Sequence, residues 1–545
     1  MKIVLAQINP TVGDLDYNTN LIIENLQKAK RFDVDVIVFP ELAITGYPPE
    51  DLLLFDHFID AAEKQLLRIV KESNGICVIV GTPRRTQIRG EKHLHNSAAI
   101  IEDGLLLGYH DKLLLPTYDV FDERRYFEPG VEIALWKIKG KTIAITICED
   151  IWHHSGQVIS SIYTRDPIHE ITRLKPDVTI NLSASPFSGN KPETRFQVCS
   201  KAALAIGSPF LLCNCFGGND SLIFDGHSLF LDKKGALISR GTGFEEDFMI
   251  CDLAETTPSQ LLGLDPIEEI YEALKLGVRD YFRKQGFTHA CIGLSGGIDS
   301  AVAIALVSEA IGNTNVKALL MPSRFSSEES VTDSIALAKN LRIPHEIVSI
   351  EKPFQAYLDL LEPNFQGRPF DSTEENLQAR IRGMILMAYS NKFGYIVIGT
   401  GNKSELAMGY STLYGDMCGG IGVIADVTKG QVYALANWIN RKSPIIPQNI
   451  LSKPPSAELR PNQKDADSLP DYEIIDTVVR EYVEQHKDPR KIAETYHIDP
   501  ELVKYIIRKI HLNEYKRRQG PLILRVSEKA FSAGRRFPVV HNWEG

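Results

Sequence analysis

Three side chains in the first half of the sequence are of types, and in settings, that could do covalent chemistry. Glu41 closes the apolar run VDVIVFP, in FPELAITGYPPEDLL; Lys112 stands in GYHDKLLLPTYDVFDERRYFEPG; Cys148 ends TIAITIC, in ICEDIW. Each sits at or near the end of a strand-like run, where α/β folds gather their sites. A cysteine thiolate is a strong nucleophile but a minority species near pH 7. A carboxylate can take its proton, and an ammonium can favour the thiolate and stabilise the oxyanion of a tetrahedral intermediate. Together they would transfer an acyl group to sulfur and hydrolyse the thioester, an amide cleavage that releases ammonia. Taken singly, each has an ordinary reading: Cys148 as a small core residue, Glu41 as a first-turn acid of a helix, Lys112 as a solvated charge.

The second half carries a different signal. In CIGLSGGIDSAVAIALVSEAIG, a strand runs into Ser295-Gly296-Gly297-Ile298-Asp299-Ser300 and then a helix. The glycines let backbone N–H groups approach an anion, the helix N-terminus adds partial positive charge, and the serines add hydroxyl donors. Asp299 stands where it could hold a magnesium ion against phosphates. The loop fits neither G-x-x-x-x-G-K-[ST] nor G-x-G-x-x-G, so it lacks the fingerprints of a Walker NTPase and of a dinucleotide-binding Rossmann unit. A plain βα turn is the competing reading, and the full SGGIDS between strand and helix weakens it.

Two rhythms position these residues. In residues 1–252 short strand runs (KIVLAQI, VDVIVF, CVIVG, SAAIIE, TIAITIC, VTINL, PFLLCNC and HSLFLD) alternate with loops and two helices, near 18–30 and 59–71. That predicts a mixed α/β domain, a two-sheet sandwich between helices. Residues 253–265 are polar and turn-rich and read as a linker. From 266 to 545, helix and strand alternate as in a doubly wound parallel sheet, with helices near 266–284, 328–341 and 371–392, and a helical tail over 471–510. Residues 363–373 (PNFQGRPFDST) carry no readable motif, and a mobile lid is the expectation there.

The 545 residues are 43% apolar and 24% charged, an ordinary globular balance. A formal charge of −10 and no aromatic–basic stripe argue against a nucleic-acid-binding module, the Lys-Arg-Arg at 516–518 notwithstanding. No apolar run is long enough to span a membrane, and no targeting segment is evident, so a cytoplasmic protein is expected. The eight cysteines form no CxxC. Cys213 and Cys215 alternate on a strand run, which predicts one shared buried face rather than zinc. His93, His95, His153 and His154 read as loop residues.

FPELAITGYPPEDL, DKLLLPTYDVFDERRYF, ICEDIW and INLSASPF, in that order, resemble the signature segments of the nitrilase (carbon–nitrogen hydrolase) superfamily, most closely its glutamine-amidase branch. The resemblance implies an α-β-β-α sandwich with Glu41 as general base, Lys112 as oxyanion-stabilising lysine and Cys148 as nucleophile. It further implies that Tyr118, Glu149, Ser185 and Lys191 hold a glutamine substrate. SGGIDS resembles the pyrophosphate loop of the N-type ATP pyrophosphatases, which adenylate an oxygen and let a nitrogen nucleophile displace AMP. ENLQARIRGMILMAYSN, IGTGNKSELAMGYSTLYGDMCGGIGVIADVTKGQVYALANWI, LPDYEIIDTVVREYVE and NEYKRRQGP look like the NAD synthetase signature. The order of the two halves is similar to that of the glutamine-dependent NAD⁺ synthetase family.

By that resemblance, ATP is a substrate and magnesium the cofactor. Gly293, Leu294, Ser295, Gly296, Gly297, Ile298, Asp299, Ser300 and Thr400 would contact ATP; Asp299 and Glu405 would hold Mg²⁺; Asn376, Glu405 and Lys516 would contact deamido-NAD⁺. A homo-oligomer is expected, because both families usually assemble through broad apolar interfaces. Two other readings stay open at this point: an amidase carrying a nucleotide-regulated domain, and another glutamine-fed adenylating ligase.

Overall fold

The structure, a computed structural model, describes every residue except 87–91, 157–162, 260–262, 264, 533 and 544–545. Two units divide the chain, Met1–Leu264 and Asp265–Gly545.

The strands of the first unit begin with β1 (Lys2–Gln7), β2 (Val36–Val38), β3 (Cys77–Arg85), β4 (Leu94–Glu102) and β5 (Leu105–Asp111). Next come β6 (Leu135–Ile138), β7 (Lys141–Ile147), β8 (Val178–Ser183) and β9 (Phe210–Asn214). The last are β10 (Phe216–Asn219), β11 (Leu222–Asp225), β12 (Leu229–Leu231), β13 (Leu237–Arg240) and β14 (Asp247–Asp252). Among the described residues, four α-helices accompany them: α1 (Leu15–Arg31), α2 (Asp56–Glu72), α3 (Pro167–Leu174) and α4 (Lys191–Ile206).

One sheet runs β14-β1-β2-β3-β4-β5 and the other β13-β12-β9-β8-β7-β6, with β10-β11 as a separate ribbon. Period-two alternation stacks them. Ile3, Leu5, Val36, Val38, Cys77 and Ile79 face the inter-sheet core with Ile145, Ile180 and Leu211 of the second sheet. Their neighbours Val4, Ala6, Ile37, Val78 and Val80 face a second core under α1 and α2. Behind the second sheet, Ile168 and Ile171 of α3 and Val198, Cys199, Ala202 and Ala203 of α4 close a third. The layers are therefore helix, sheet, sheet, helix, the sandwich expected from the resemblance.

The helix pair behind the second sheet carries no clear signal in the sequence. The buried stripe of α4 is Pro192, Arg195, Val198, Cys199, Ala202, Ala203 and Ile206, a small and partly polar face with a weak helical signature. Cys213 and Cys215 are both buried but do not share a face. Cys213 lies in the inter-sheet core and Cys215 in the core under α1 and α2, because β9 ends at Asn214 and the alternation ends with it. His95 is no loop residue either: it lies inside β4, and its Nδ1 meets the Glu128 carbonyl at 2.9 Å.

The second unit builds one parallel sheet from β15 (Ala290–Gly293), β16 (Val316–Leu320), β17 (His345–Ile347), β18 (Ile396–Gly399), β19 (Ile421–Gly422) and β20 (Leu522–Ile523). Its helices include α5 (Pro266–Gln285), α6 (Ile298–Ile311), α7 (Glu328–Asn340), α8 (Glu351–Phe365), α9 (Ser372–Phe393), α10 (Lys403–Met408) and α11 (Lys429–Asn440). Residues 363–373 are not a plain loop. Pro363 lies within α8, and Asp371 caps α9 through a box with Glu374. The helical tail is broken where Asp-Pro pairs supply a cap and a first helical residue, at Asp488-Pro489 and Asp499-Pro500.

The strand order β17-β16-β15-β18-β19-β20 reverses direction between β15 and β18. Crevices at such a switch point, beyond the carboxyl ends of the strands, are where doubly wound sheets bind ligands. The residues following β15 and β18 are the SGGIDS loop and Thr400.

Candidate active sites

Lys112 and Cys148 come from different sheets: Lys112 directly follows β5 and Cys148 directly follows β7. Glu41 lies just beyond β2, on a turn that crosses β3 at Gly81. A Cβ at Gly81 would lie 2.2 Å from the Leu42 nitrogen and 2.4 Å from the Pro40 carbonyl oxygen, so only glycine lets that turn approach so closely.

The Lys112 ammonium, 1% exposed, donates to Glu41 Oε1 at 2.7 Å and to Glu123 Oε1 at 2.7 Å. Asn96 Nδ2 donates to Glu41 Oε1 at 2.7 Å, and the Ala184 backbone N–H donates to Glu41 Oε2 at 3.1 Å. Tyr47 donates its hydroxyl to Glu123 at 2.9 Å. Burial alone would lower the lysine's affinity for a proton, but Glu123 and Glu41 overcome it and hold the ammonium charged. Burial lifts Glu123 to about 7, against the pull of Lys112.

Burial also pushes the Cys148 thiol well above its ordinary range; the Glu41 charge adds to the rise and the Lys112 ammonium opposes it. The resting sulfur is therefore a thiol, and its attack needs a base that takes the proton as the bond forms. Cys148 has φ +40° and opens a 3₁₀ turn, Cys148–Ile151. Backbone strain of this kind is typical of functional residues.

Of the residues expected around glutamine, Tyr118 donates to Glu149 at 2.8 Å, and Tyr163 donates to the same carboxylate at 2.9 Å. Ser185 is buried, with its N–H on Asn214 Oδ1 at 2.9 Å and Arg195 behind its carbonyl. Lys191 opens α4 with its ammonium 4.0 Å from the Trp152 ring centre. Glu123, Asn96 and Tyr163 were not singled out in the sequence. Glu123 had one signal, an acid in the quoted DERRYF close after Lys112; for the other two no local pattern exists.

In the second unit, Gly293, Leu294, Ser295, Gly297, Ile298, Asp299, Ser300, Thr400 and Glu405 line one cavity of about 310 Å³. Ser295 and Ser300 fold the loop: their hydroxyls meet at 3.1 Å, the Gly297 N–H donates to Ser295 Oγ at 3.2 Å, and Ser300 Oγ donates to the Gly297 carbonyl at 3.0 Å. Gly297 caps α6 without a side-chain acceptor. The first-turn amides of α6 are thus available to an anion.

Asp299 accepts from Asn402 Nδ2 at 2.8 Å and from the Lys429 ammonium at 2.5 Å; Lys429 lies 3.5 Å from Glu405. Asn402 caps α10 and takes the Glu405 N–H at 2.9 Å. Burial, reinforced by the Asp299 charge, raises Glu405 to about 8, while Lys429 opposes the rise. Lys429, missed in the sequence although it lies in the quoted VTKGQV, joins the two carboxylates. Asn376 and Lys516 are not among the residues that line this cavity. Both hold the neighbouring segment: Thr412 donates its hydroxyl to Asn376 at 2.6 Å, and Lys516 donates to the Gly409 and Ser411 carbonyls at 2.8 and 2.9 Å.

Two family models divide the chain between them, carbon–nitrogen hydrolase over residues 2–259 and NAD synthase over residues 270–520. The glutamine-dependent NAD(+) synthetase of Synechocystis is 43% identical over 547 residues, covering 98% of this chain and 98% of the relative. The chain belongs to the glutamine-dependent NAD(+) synthetase family. The Thermotoga maritima synthetase is 41% identical, covering 100% of this chain and 99% of its own. The solved structure of the Acinetobacter baumannii synthetase, in complex with ADP, superposes with a TM-score of 0.77 at 36% identity, covering 99% of this chain and 98% of the other. Within a synthetase of this family, the two clusters fall one in each matched region.

Proposed function

We propose that the chain makes NAD⁺ from deamido-NAD⁺, ATP and glutamine. The first domain, residues 1–252, would release ammonia; the second, residues 266–545, would consume it. The observation that carries this reading is the full-length likeness to glutamine-dependent NAD(+) synthetases of a chain holding both a Cys148–Glu41–Lys112 cluster and a phosphate loop in one cavity with Asp299 and Glu405.

At the first site, Glu41 takes the Cys148 proton as sulfur attacks the glutamine amide, and Lys112 stabilises the oxyanion. Ammonia leaves, water hydrolyses the thioester, and glutamate is released. Tyr118, Glu149, Ser185 and Lys191 hold the glutamine. At the second site, a nicotinate carboxylate oxygen of deamido-NAD⁺ attacks the α-phosphorus of ATP and pyrophosphate leaves; ammonia then attacks the carbonyl carbon and AMP leaves. Gly293 to Ser300, Thr400 and Lys429 hold the phosphates, while Asn376, Glu405 and Lys516 hold the dinucleotide. Asp299 and Glu405 suit a magnesium ion: both are hard oxygen donors, and they already share one cation, the Lys429 ammonium. When bound, the ion would offset phosphate charge. The enzyme would work in the cytoplasm, where a nucleophilic thiol stays reduced, and as a homo-oligomer.

The test is NAD⁺ formation by the wild-type protein from deamido-NAD⁺, ATP and magnesium, with either glutamine or ammonium chloride. NAD⁺ from both donors is expected. Glutamine hydrolysis without NAD⁺ from either donor would return the amidase reading; product only in a parallel assay that offers xanthylate in place of deamido-NAD⁺ would return the other adenylating ligase.

Two substitutions probe the geometry. Glu123→Gln replaces an acceptor shared by Lys112 and Tyr47. Glutamine hydrolysis should slow about 100-fold, the effect of a misplaced catalytic group, with ammonium-driven synthesis unchanged. Gly296 has φ +79°, and a Cβ there would lie 2.4 Å from the Ser330 carbonyl oxygen. Gly296→Ala should therefore distort the loop at a cost of about 1–3 kcal/mol. ATP titration should show affinity lower by roughly tenfold or more.

A further inference from the structure

We infer that Asp150 is a positioning residue for the first site: its buried carboxylate ties the backbone after Lys112 to the backbone before Cys148. The inference deepens the glutamine-hydrolysis reading and rests on it.

Asp150 is fully buried, and among the described residues its carboxylate accepts from three backbone N–H groups. Oδ1 accepts from the Leu113 N–H at 3.0 Å and the Leu114 N–H at 2.8 Å; Oδ2 accepts from the Ile147 N–H at 2.9 Å. Leu113 and Leu114 directly follow Lys112, and Ile147 directly precedes Cys148. Lys112 leaves a strand of one sheet and Cys148 a strand of the other. Between stacked sheets there is no backbone ladder; side chains meet across the gap, and apolar packing is non-directional. A carboxylate accepting from both segments supplies the direction that packing lacks.

The same bonds act on the strained nucleophile. The Ile147 bond closes the turn that Cys148 opens at φ +40°. Without it, Cys148 can relax toward an ordinary φ and carry its sulfur away from Glu41 and Lys112. The chemistry calls for a carboxylate and not an amide. Three N–H groups point at two oxygens, and an amide would offer one oxygen and set its own N–H₂ against a backbone donor.

The experiment compares wild type, Asp150→Asn and Asp150→Ala. It reads steady-state glutamine hydrolysis and the rate at which iodoacetamide alkylates Cys148, followed by peptide mass because the chain has eight cysteines. Ammonium-driven NAD⁺ synthesis and thermal unfolding report on the fold. In Asp150→Asn, kcat for glutamine should fall about 100-fold, as for a reacting group displaced by an ångström. KM for glutamine should stay near wild type, and the pH profile of Cys148 alkylation should shift. Wild-type kcat and alkylation in the asparagine variant would overturn the inference. So would losses that only track ammonium-driven synthesis and the unfolding temperature, or failure of both variants to fold, since the carboxylate would then serve the fold at large. If the wild-type protein hydrolyses no glutamine while Cys148 alkylation still depends on Asp150, the amidase reading fails and the positioning role stands.

Discussion

Cys148→Ala is expected to make no NAD⁺ from glutamine and wild-type amounts from ammonium chloride. The sulfur is the atom that would carry the acyl group. Glu41, Lys112 and Glu123 remain around it, but none of them can form the thioester. The glutamine-driven rate should fall by at least about 10⁴-fold, as when a nucleophile is removed from a triad that acts as a unit. Alanine keeps the Cβ and hence the strain at φ +40°, so the substitution isolates the sulfur rather than the turn. On the proposed division of labour, ammonium-driven synthesis would draw on the second unit, Asp265–Gly545. Paired assays of glutamate and NAD⁺ check the result. Equal loss with both donors would show that the cysteine supports the fold of the whole chain instead.

Asp299→Ala is expected to give the complementary pattern: no synthesis from either donor, with glutamine hydrolysis retained. Asp299 joins the two sides of the switch-point crevice, taking Asn402 at 2.8 Å and Lys429 at 2.5 Å. Its removal leaves the Lys429 ammonium with Glu405 at 3.5 Å and takes away one of the two carboxylates proposed to hold magnesium. A charge-stabilising group in a preorganised site contributes roughly 10²–10³ in rate, and losing part of a metal site deepens that deficit. The measurement is pyrophosphate and AMP release with each donor. Normal pyrophosphate release with no NAD⁺ would move the role of Asp299 from adenylation to the ammonia step.

The two substitutions separate cleanly because each cluster is built within its own unit, and much of that division was legible in the sequence. Strand runs and the polar stretch near 253–265 follow from local composition. The loop after β15 is local as well: serines, glycines and a helix start within six residues carry their own folding instructions. Cys148 at the end of TIAITIC was readable because a strand end is a feature of neighbours in sequence. The stripe of α4 was harder, since Arg195, Cys199 and two alanines do not announce a buried face.

The two-part α/β plan, the strand-end placement of the reactive residues and the phosphate loop are written in short segments with their own periodicity and backbone preferences. Folding alone reveals which acids share the Lys112 ammonium, that Asn96 and Ala184 steady Glu41, that Asp150 ties the segment after β5 to the end of β7, and that Lys429 binds Asp299. The physical reason is distance along the chain. These partners are brought together by sheet stacking and strand order, and a hydrogen bond or ion pair leaves no trace in the residues next to either partner.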